Sequence, residues 1–221
     1  MKFNDDGTLS GAPKQNRAAA KAERRQDLID ATITSIAKYG LSGTTLARVS
    51  EIAGTSSGLA NFHFDSKDRL FEATLQFLAD MQRDLWQNRN LDASLSMADR
   101  LIAIVDSRFH PRICDRKALA VWFAFFGDAS TRVLYRKVLQ DVDDERLDAT
   151  VTILSELGAA EGAAPFDPME TALGMEAFYD GLWLNMLIYP DDFRRLACRK
   201  RALAYIAALF PTHFSHVADE E

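Results

Sequence analysis

The chain predicts an all-α protein of about nine helices, with a small N-terminal bundle followed by a larger helical domain. Three observations carry that reading. Apolar residues recur three and four positions apart in every long segment, the period of a helix with one buried face. No segment alternates with period two for long enough to make a strand, and no internal repeat is present. Helix stops punctuate the chain at regular intervals, as Gly, Pro or clusters of small residues.

Residues 1–22 read as a flexible basic arm: residues 1–13 hold two Gly and one Pro, and Lys14, Arg17 and Lys21 follow. A first domain over 23–75 opens with a helix from Arg24 on which Ile29, Ile33, Ile36 and Ala37 share a face, with Gly40 as its stop. Thr44 or Thr45 can cap LARVSEIA, whose inward stripe is Leu46, Val49 and Ala53. Gly54 turns the chain, Thr55, Ser56 or Ser57 can cap a helix of about two turns, and Phe64-Asp65 closes it. Ser66 then caps KDRLFEATLQFLADMQRDLW, a helix from 67 to about 90 with Leu70, Phe71, Thr74, Leu78, Met81 and Leu85 along one side. The second domain, 76–214, continues with helices near 95–109, 115–127, 130–158, 168–188 and 192–209. Its breaks fall at His110-Pro111, Gly127-Asp128, GAAEGAAPFDP and Pro190.

Composition narrows the function classes. The 221 residues carry 26 Lys/Arg against 32 Asp/Glu, a net charge of −6 that by itself argues against nucleic acid. The distribution argues otherwise: residues 1–69 hold ten basic and eight acidic side chains, and Lys14, Arg17, Lys21, Arg24 and Arg25 cluster ahead of the first strong helix. No uncharged apolar run approaches the ~18–20 residues of a membrane span, and the N-terminus lacks the apolar stretch of a secretory signal, so a cytoplasmic protein without a membrane partner is expected. Cys114 and Cys198 stand alone, without C-x-x-C or neighbouring His, and read as free buried thiols. There is no Gly-rich phosphate loop, H-E-x-x-H or G-x-S-x-G, so no catalytic residue, metal or cofactor is expected. His213 and His216 read as solvated tail residues, Asp141, Asp143, Asp144 and Glu145 as an acidic helix face, and RRLACRKR (194–201) as a solvated basic one.

The stretch AGTSSGLANFHF (53–64) lies between two amphipathic helices, which is the layout of a helix-turn-helix whose second helix enters the major groove. Gly54 permits the left-handed backbone of a tight turn, and small residues at Ser56, Ser57 and Gly58 allow close approach to a sugar-phosphate chain. The Thr45 and Ser56 hydroxyls can donate to phosphate, Asn61 can pair with a base edge, and His63 and Lys67, four apart, can clamp the backbone. Phe64 reads as the plug that pins the short helix to its bundle. The same residues also suit a purely structural loop, since Ser and Thr before helices are caps and a lone Asn or His is commonly solvated. Spacing leaves both readings open.

The run TTLARVSEIAGTSSGLANFHFDSKDRLFEATL resembles the N-terminal domain of the TetR family of transcriptional regulators. The likeness rests on Thr44-Thr45, Ile52-Ala53-Gly54, Ser56, Gly58, His63-Phe64, Lys67 and Leu70, and covers 24–75. It implies a homodimeric repressor that binds double-stranded DNA at a palindromic operator and is released when its larger domain takes up a small-molecule effector. By position, it implies DNA contact through Thr45, Ser56, Ser57, Gly58, Phe62, His63 and Lys67. Many members carry Tyr where this chain has Asn61, so a phosphate-contacting hydroxyl is missing there.

In the second domain, Gly174, Ala177 and Gly181 make a stripe of small residues that fits close helix packing, either in a two-fold dimer with helix 192–209 or within one chain. Trp122, Phe125, Phe126, Tyr179 and Trp183, with Asp128 or Asp180 nearby, suit either a plain core or an aromatic cage for a quaternary ammonium ligand. WFAFFGDASTRVLYRKVLQ and YDGLWLNMLIY resemble the C-terminal domain of the BetI-like subgroup, which implies choline sensing tied to glycine betaine synthesis. The competing expectation is an all-helical small-molecule-binding or enzymatic dimer that does not touch DNA.

Overall fold

A computed structural model describes residues 12–161 and 166–214 of the chain, with side chains described from residue 17 to residue 159 and from 166 to 214. Among the described residues there are nine helices and no strand. They are α1 (Ala12–Gly43), α2 (Leu46–Ile52), α3 (Ser57–His63), α4 (Lys67–Asn90), α5 (Met97–Arg108), α6 (Arg116–Gly127), α7 (Arg132–Glu161), α8 (Pro168–Ile188) and α9 (Arg195–Leu209). The chain divides into two compact units after Thr74, inside α4.

The first unit is built on α1. The arm expected to be flexible is helical from Ala12 onward, and residues 1–11 lie outside the described residues. Alanines at 18, 19, 20 and 22 explain the extension, because Ala loses no side-chain entropy in a helix. Gly40 breaks α1 but does not end it: its backbone turns to φ 69°, ψ 178°, and a last turn runs on to Gly43. The buried face of α1 is Leu28, Ile29, Thr32, Ser35 and Ile36, with Ile33 and Ala37 only half-buried. The polar members of that face are satisfied locally, since Thr32 Oγ1 donates to Leu28 O at 2.7 Å and Ser35 Oγ shares a 3.0 Å hydrogen bond with Thr44 Oγ1.

Thr44 and Thr45 separate into two roles. Thr44 is buried and donates to Gly40 O at 2.8 Å, securing the break in α1. Thr45 is the N-cap of α2, its Oγ1 accepting from Arg48 N at 3.2 Å. Gly54 stands at φ 63° and turns the chain from α2 toward α3, a conformation that residues with a Cβ rarely adopt. Ser56 caps α3, and Phe64, buried to 3 % exposure, ends it and fills the small core as the sequence predicts.

The second unit holds residue 75 onward. Leu101, Ile104, Trp122, Phe125, Leu139, Leu154, Met175, Tyr179 and Ile206 form its core. Cys114 and Cys198 are free and buried there, and burial pushes the Cys114 thiol up to about 12. The tail expected to be solvated is partly packed: Phe214 is fully buried and His213 half-buried, while His216 lies outside the described residues. No described helix is long and apolar enough to cross a membrane.

Candidate DNA-contacting surface and effector pocket

The outward side of α3 is nearly idle within its own chain. Ser56, Ser57, Gly58, Asn61 and Phe62 are exposed, Phe62 to 68 %, while Ala60 and Phe64 face the core. The caps settle how a Ser or Thr can serve two purposes. Ser56 Oγ accepts from Leu59 N at 3.3 Å and Thr45 Oγ1 from Arg48 N, so each cap uses an oxygen lone pair and leaves the O–H proton to donate outward. Gly58 has no internal reason to be glycine. A Cβ built there would meet only Ser56 Oγ, at an ordinary 3.8 Å, and its backbone is helical.

Two expected contacts are differently placed. His63 closes α3 and Lys67 opens α4, so the pair stands on two helices and not on one. Lys67 Nζ instead donates to Leu41 O at 2.8 Å, in the last turn of α1, and lies 5.1 Å from the Phe71 ring centre. A cation is favoured beside C-terminal carbonyls, which explains the placement. His63 packs edge-on to Phe62 at 5.4 Å, and burial, Lys21 and Arg25 together lower its pKa. It is therefore a neutral imidazole near pH 7. Arg17, Lys21 and Arg25, four residues apart on α1, are exposed; Lys21 Nζ sits 5.2 Å over the Phe62 ring and the Arg25 guanidinium 5.1 Å over Phe64. The basic end of α1 thus reaches the aromatic residues of α3.

In the second unit a cavity of about 270 Å³ opens between α4, α5, α6, α7 and α8. Trp122, Phe126, Tyr135 and Trp183 supply its aromatic walls. Trp122 and Trp183 stack at 6.4 Å with 24° between planes, and Phe126 meets Tyr135 edge-on at 4.6 Å. Asp143, Asp144, Glu176 and Asp180 bring four carboxylates, against the guanidiniums of Arg108 and Arg146. Arg146 grips both Glu176 oxygens, at 3.1 and 2.9 Å, and Asp143 at 2.9 Å. Arg108 bonds Asp180 at 2.7 Å and lies 4.2 Å over the Trp183 ring. Burial pushes Glu176 up, but Arg108 and Arg146 outweigh it and hold the carboxyl at about 2. Asp180 shifts the other way, raised by burial and by Glu176 against the pull of Arg108.

Of the five expected ligand residues, Trp122, Phe126 and Trp183 line this cavity. Phe125 and Tyr179 do not; both are fully buried, Tyr179 edge-on to Phe109 at 6.1 Å. The small cavity leaves no room for every aromatic residue of α6 and α8, and those on the inner faces become core. Asp128 is spent on its own turn, accepting from Ser130 N at 2.8 Å, whereas Asp180 is at the site. The acidic face is exposed at Asp141, Asp144 and Glu145 and half-buried at Asp143; Asp143 and Asp144 also line the cavity, and Glu145 pairs with Arg83 at 2.9 Å. The basic face at 194–201 is likewise partly structural, with Arg199 on Asp106 at 2.6 Å and Arg195 donating to Phe109 O at 3.0 Å. Tyr135, Arg108, Arg146, Glu176 and Gln82 were not foreseen. Only Arg146 left a signal, its i, i+3 spacing from Asp143.

Gly174 and Ala177 are exposed and Gly181 half-buried, and a Cβ on either glycine would meet nothing in the chain. Leu184 and Ile188 continue their stripe, and Leu196, Tyr205 and Leu209 are exposed on α9. No group of three or more metal-ligating side chains is found among the described residues.

Residues 28–74 match the family described as bacterial regulatory proteins, tetR family, and residues 97–211 match the C-terminal region of BetI-type transcriptional repressors. The chain is 35% identical over 189 residues to the HTH-type transcriptional regulator BetI of Burkholderia thailandensis, covering 84% of this chain and 93% of that one. A solved structure from Pseudomonas aeruginosa PAO1, assigned as a transcriptional regulator, superposes with a TM-score of 0.72 at 26% identity over 89% of this chain and 94% of that one. A further regulator, from Saccharomonospora viridis and solved in complex with choline, shares the fold at a TM-score of 0.70 and 19% identity, over 84% and 96% of the two chains. These relatives are transcriptional regulators, not enzymes.

Proposed function

This chain belongs to the TetR family of bacterial transcriptional regulators, with a BetI-type C-terminal domain, and on that premise we propose that it is a homodimeric repressor whose operator is released when a small quaternary ammonium compound such as choline enters the α4–α8 cavity. The observation that carries the effector class is the chemistry of that cavity. Trp122, Phe126 and Tyr135 bring aromatic rings beside Trp183, whose face Arg108 already covers, and carboxylates outnumber guanidiniums by four to two, so a cation is favoured over an anion. At about 270 Å³ the space lies just below the ~300–1,000 Å³ of drug-sized sites, which suits a compact ligand and not a long acyl chain.

For the operator, Thr45, Ser56, Ser57 and Gly58 approach phosphate, while Asn61 and Phe62 reach base edges and His63 borders them. The free hydroxyl protons and the unneeded glycine support those roles. The small-residue stripe of α8, continued by exposed Leu184 and Ile188, supports pairing of two copies through Gly174, Ala177 and Gly181, an arrangement that presents two recognition helices to a palindrome. Effector release then requires only that the ligand prefer one arrangement of the dimer over the other.

Fluorescence anisotropy against the DNA flanking the protein's own gene tests this directly, with random DNA as control. The expected result is binding to the flanking DNA that weakens steeply with salt and is relieved by choline. Specific binding that choline leaves unchanged would overturn the effector class alone, and equal binding to random DNA would overturn the assignment of an operator in that flank.

A further inference from the structure

Gln82 Nε2, Trp122 Nε1, Arg108 Nε and Arg146 Nη1 are buried without a hydrogen-bond partner in the chain, and all four residues line the α4–α8 cavity. Gln82 is 2 % exposed and Trp122 1 %. Every one of these atoms is a donor, and a buried donor without an acceptor is costly. A bare tetraalkylammonium ion has neither donors nor acceptors. It can satisfy aromatic faces and carboxylates, yet it leaves these N–H groups as they were. The site therefore asks for more than a positive charge.

The two guanidiniums are already committed to carboxylates, Arg108 to Asp180 and Arg146 to Glu176 and Asp143. Gln82 and Trp122 have no such commitment, and both are neutral donors suited to a neutral oxygen. With four carboxylates already on the walls, an oxygen that brings no further negative charge is the acceptor that fits. Resting on the effector reading above, we propose that Gln82, seconded by Trp122 Nε1, is the specificity-determining residue that reads a neutral acceptor oxygen, hydroxyl or carbonyl, carried by the ligand beside its quaternary ammonium. Such a ligand meets both kinds of wall at once: its methylated nitrogen lies against the rings, and its oxygen receives the amide N–H of Gln82.

The test is calorimetric titration of the full chain with choline chloride and with tetramethylammonium chloride. The two share the cation and differ in the hydroxyl arm. The unsubstituted protein is expected to prefer choline by roughly tenfold, the worth of one good hydrogen bond. Gln82→Leu should collapse that ratio toward one, and Trp122→Phe, which keeps a ring and removes the N–H, should shrink it in the same direction. A ratio unchanged in both variants, or no preference in the unsubstituted protein, would overturn the role of Gln82 while leaving the quaternary ammonium reading standing. Binding of neither ligand would overturn both. Because the readout is a ratio within each variant, a general loss of stability does not imitate the expected result.

Discussion

The two proposed sites, the surface of α3 and the α4–α8 cavity, are built in opposite ways. The α3 surface is local: its residues fall between Thr45 and His63, the capping hydroxyls keep their protons free to donate, and almost nothing on it is bonded to the rest of the chain. The cavity is assembled across the sequence. Arg108 meets Asp180 across 72 residues, and Arg146 meets Glu176 across 30, with both guanidiniums buried and held by half-buried carboxylates. A local, idle surface can change its contacts without unfolding anything, whereas a mutually braced cavity cannot lose a member cheaply.

Substitution of Arg146 is the hardest blow to that contrast. Arg146→Ala removes a buried guanidinium that holds both Glu176 oxygens and leaves that half-buried carboxylate dependent on Arg108 alone. Breaking a buried pair this way costs about 3–5 kcal/mol, and urea denaturation should show it. Arg24→Ala, which breaks the exposed pair with Asp27, should cost no more than about 1 kcal/mol. Similar losses from the two would erase the distinction between a braced unit and an idle surface.

Ser56 separates capping from DNA contact. Ser56→Asp keeps an oxygen acceptor for Leu59 N but removes the O–H donor and places a negative charge at the phosphate face. Stability should stay within about 0.5 kcal/mol, while operator affinity falls tenfold or more, about 1.4 kcal/mol or beyond. Anisotropy and denaturation on the same sample decide it. Parallel losses would mean that the hydroxyl is a cap and nothing else.

That same locality explains what the sequence revealed. The helices were legible because each apolar stripe is a short-range pattern, and the layout around α3 was legible because a turn, its cap and the helix they open are neighbours in the chain. The caps Thr45 and Ser56 and the turn at Gly54 are each defined by their immediate neighbours. Arg108, Tyr135 and Glu176 are not, because their meeting depends on how α5, α7 and α8 pack, and no spacing along the chain encodes it. The intrachain partner of Lys67 was hidden for a related reason. Its sequence neighbours suggested His63 as a companion, but its ammonium found Leu41 O, 26 residues back. Gln82 looked like one more residue of a long amphipathic helix. It matters because α4 runs from the first unit into the second, so a ligand bonded at Gln82 touches the helix that both units share.

Gly58→Ala gives a smaller effect with opposed signs. The chain has room for the methyl group, and a helical Gly→Ala exchange adds up to about 1 kcal/mol of stability. If the open side of Gly58 is where the sugar-phosphate chain comes close, operator affinity should fall by several-fold even as the melting temperature rises. A variant that is more stable and binds as well would remove Gly58 from the contact surface.

The smallest effect concerns a proton on His63. Its pKa is lowered in the folded chain by burial, Lys21 and Arg25, so the unfolded chain binds that proton more readily. The contribution to stability is complete above the ordinary histidine pKa of about 6.5 and is lost as pH falls below it. A DNA phosphate at the proposed contact would act on the same proton in the other direction. A phosphate beside the imidazole offsets the repulsion from Lys21 and Arg25 and favours the charged form. Between about pH 7.5 and 5.5, acidification should therefore weaken the free protein and tighten its grip on the operator, two slopes of opposite sign from one group. His63→Gln should flatten both relative to the unsubstituted chain, read by denaturation and by anisotropy across that range. A stability slope that vanishes while the binding slope persists would place His63 in the fold but away from the DNA, and the local surface would then end at Phe62.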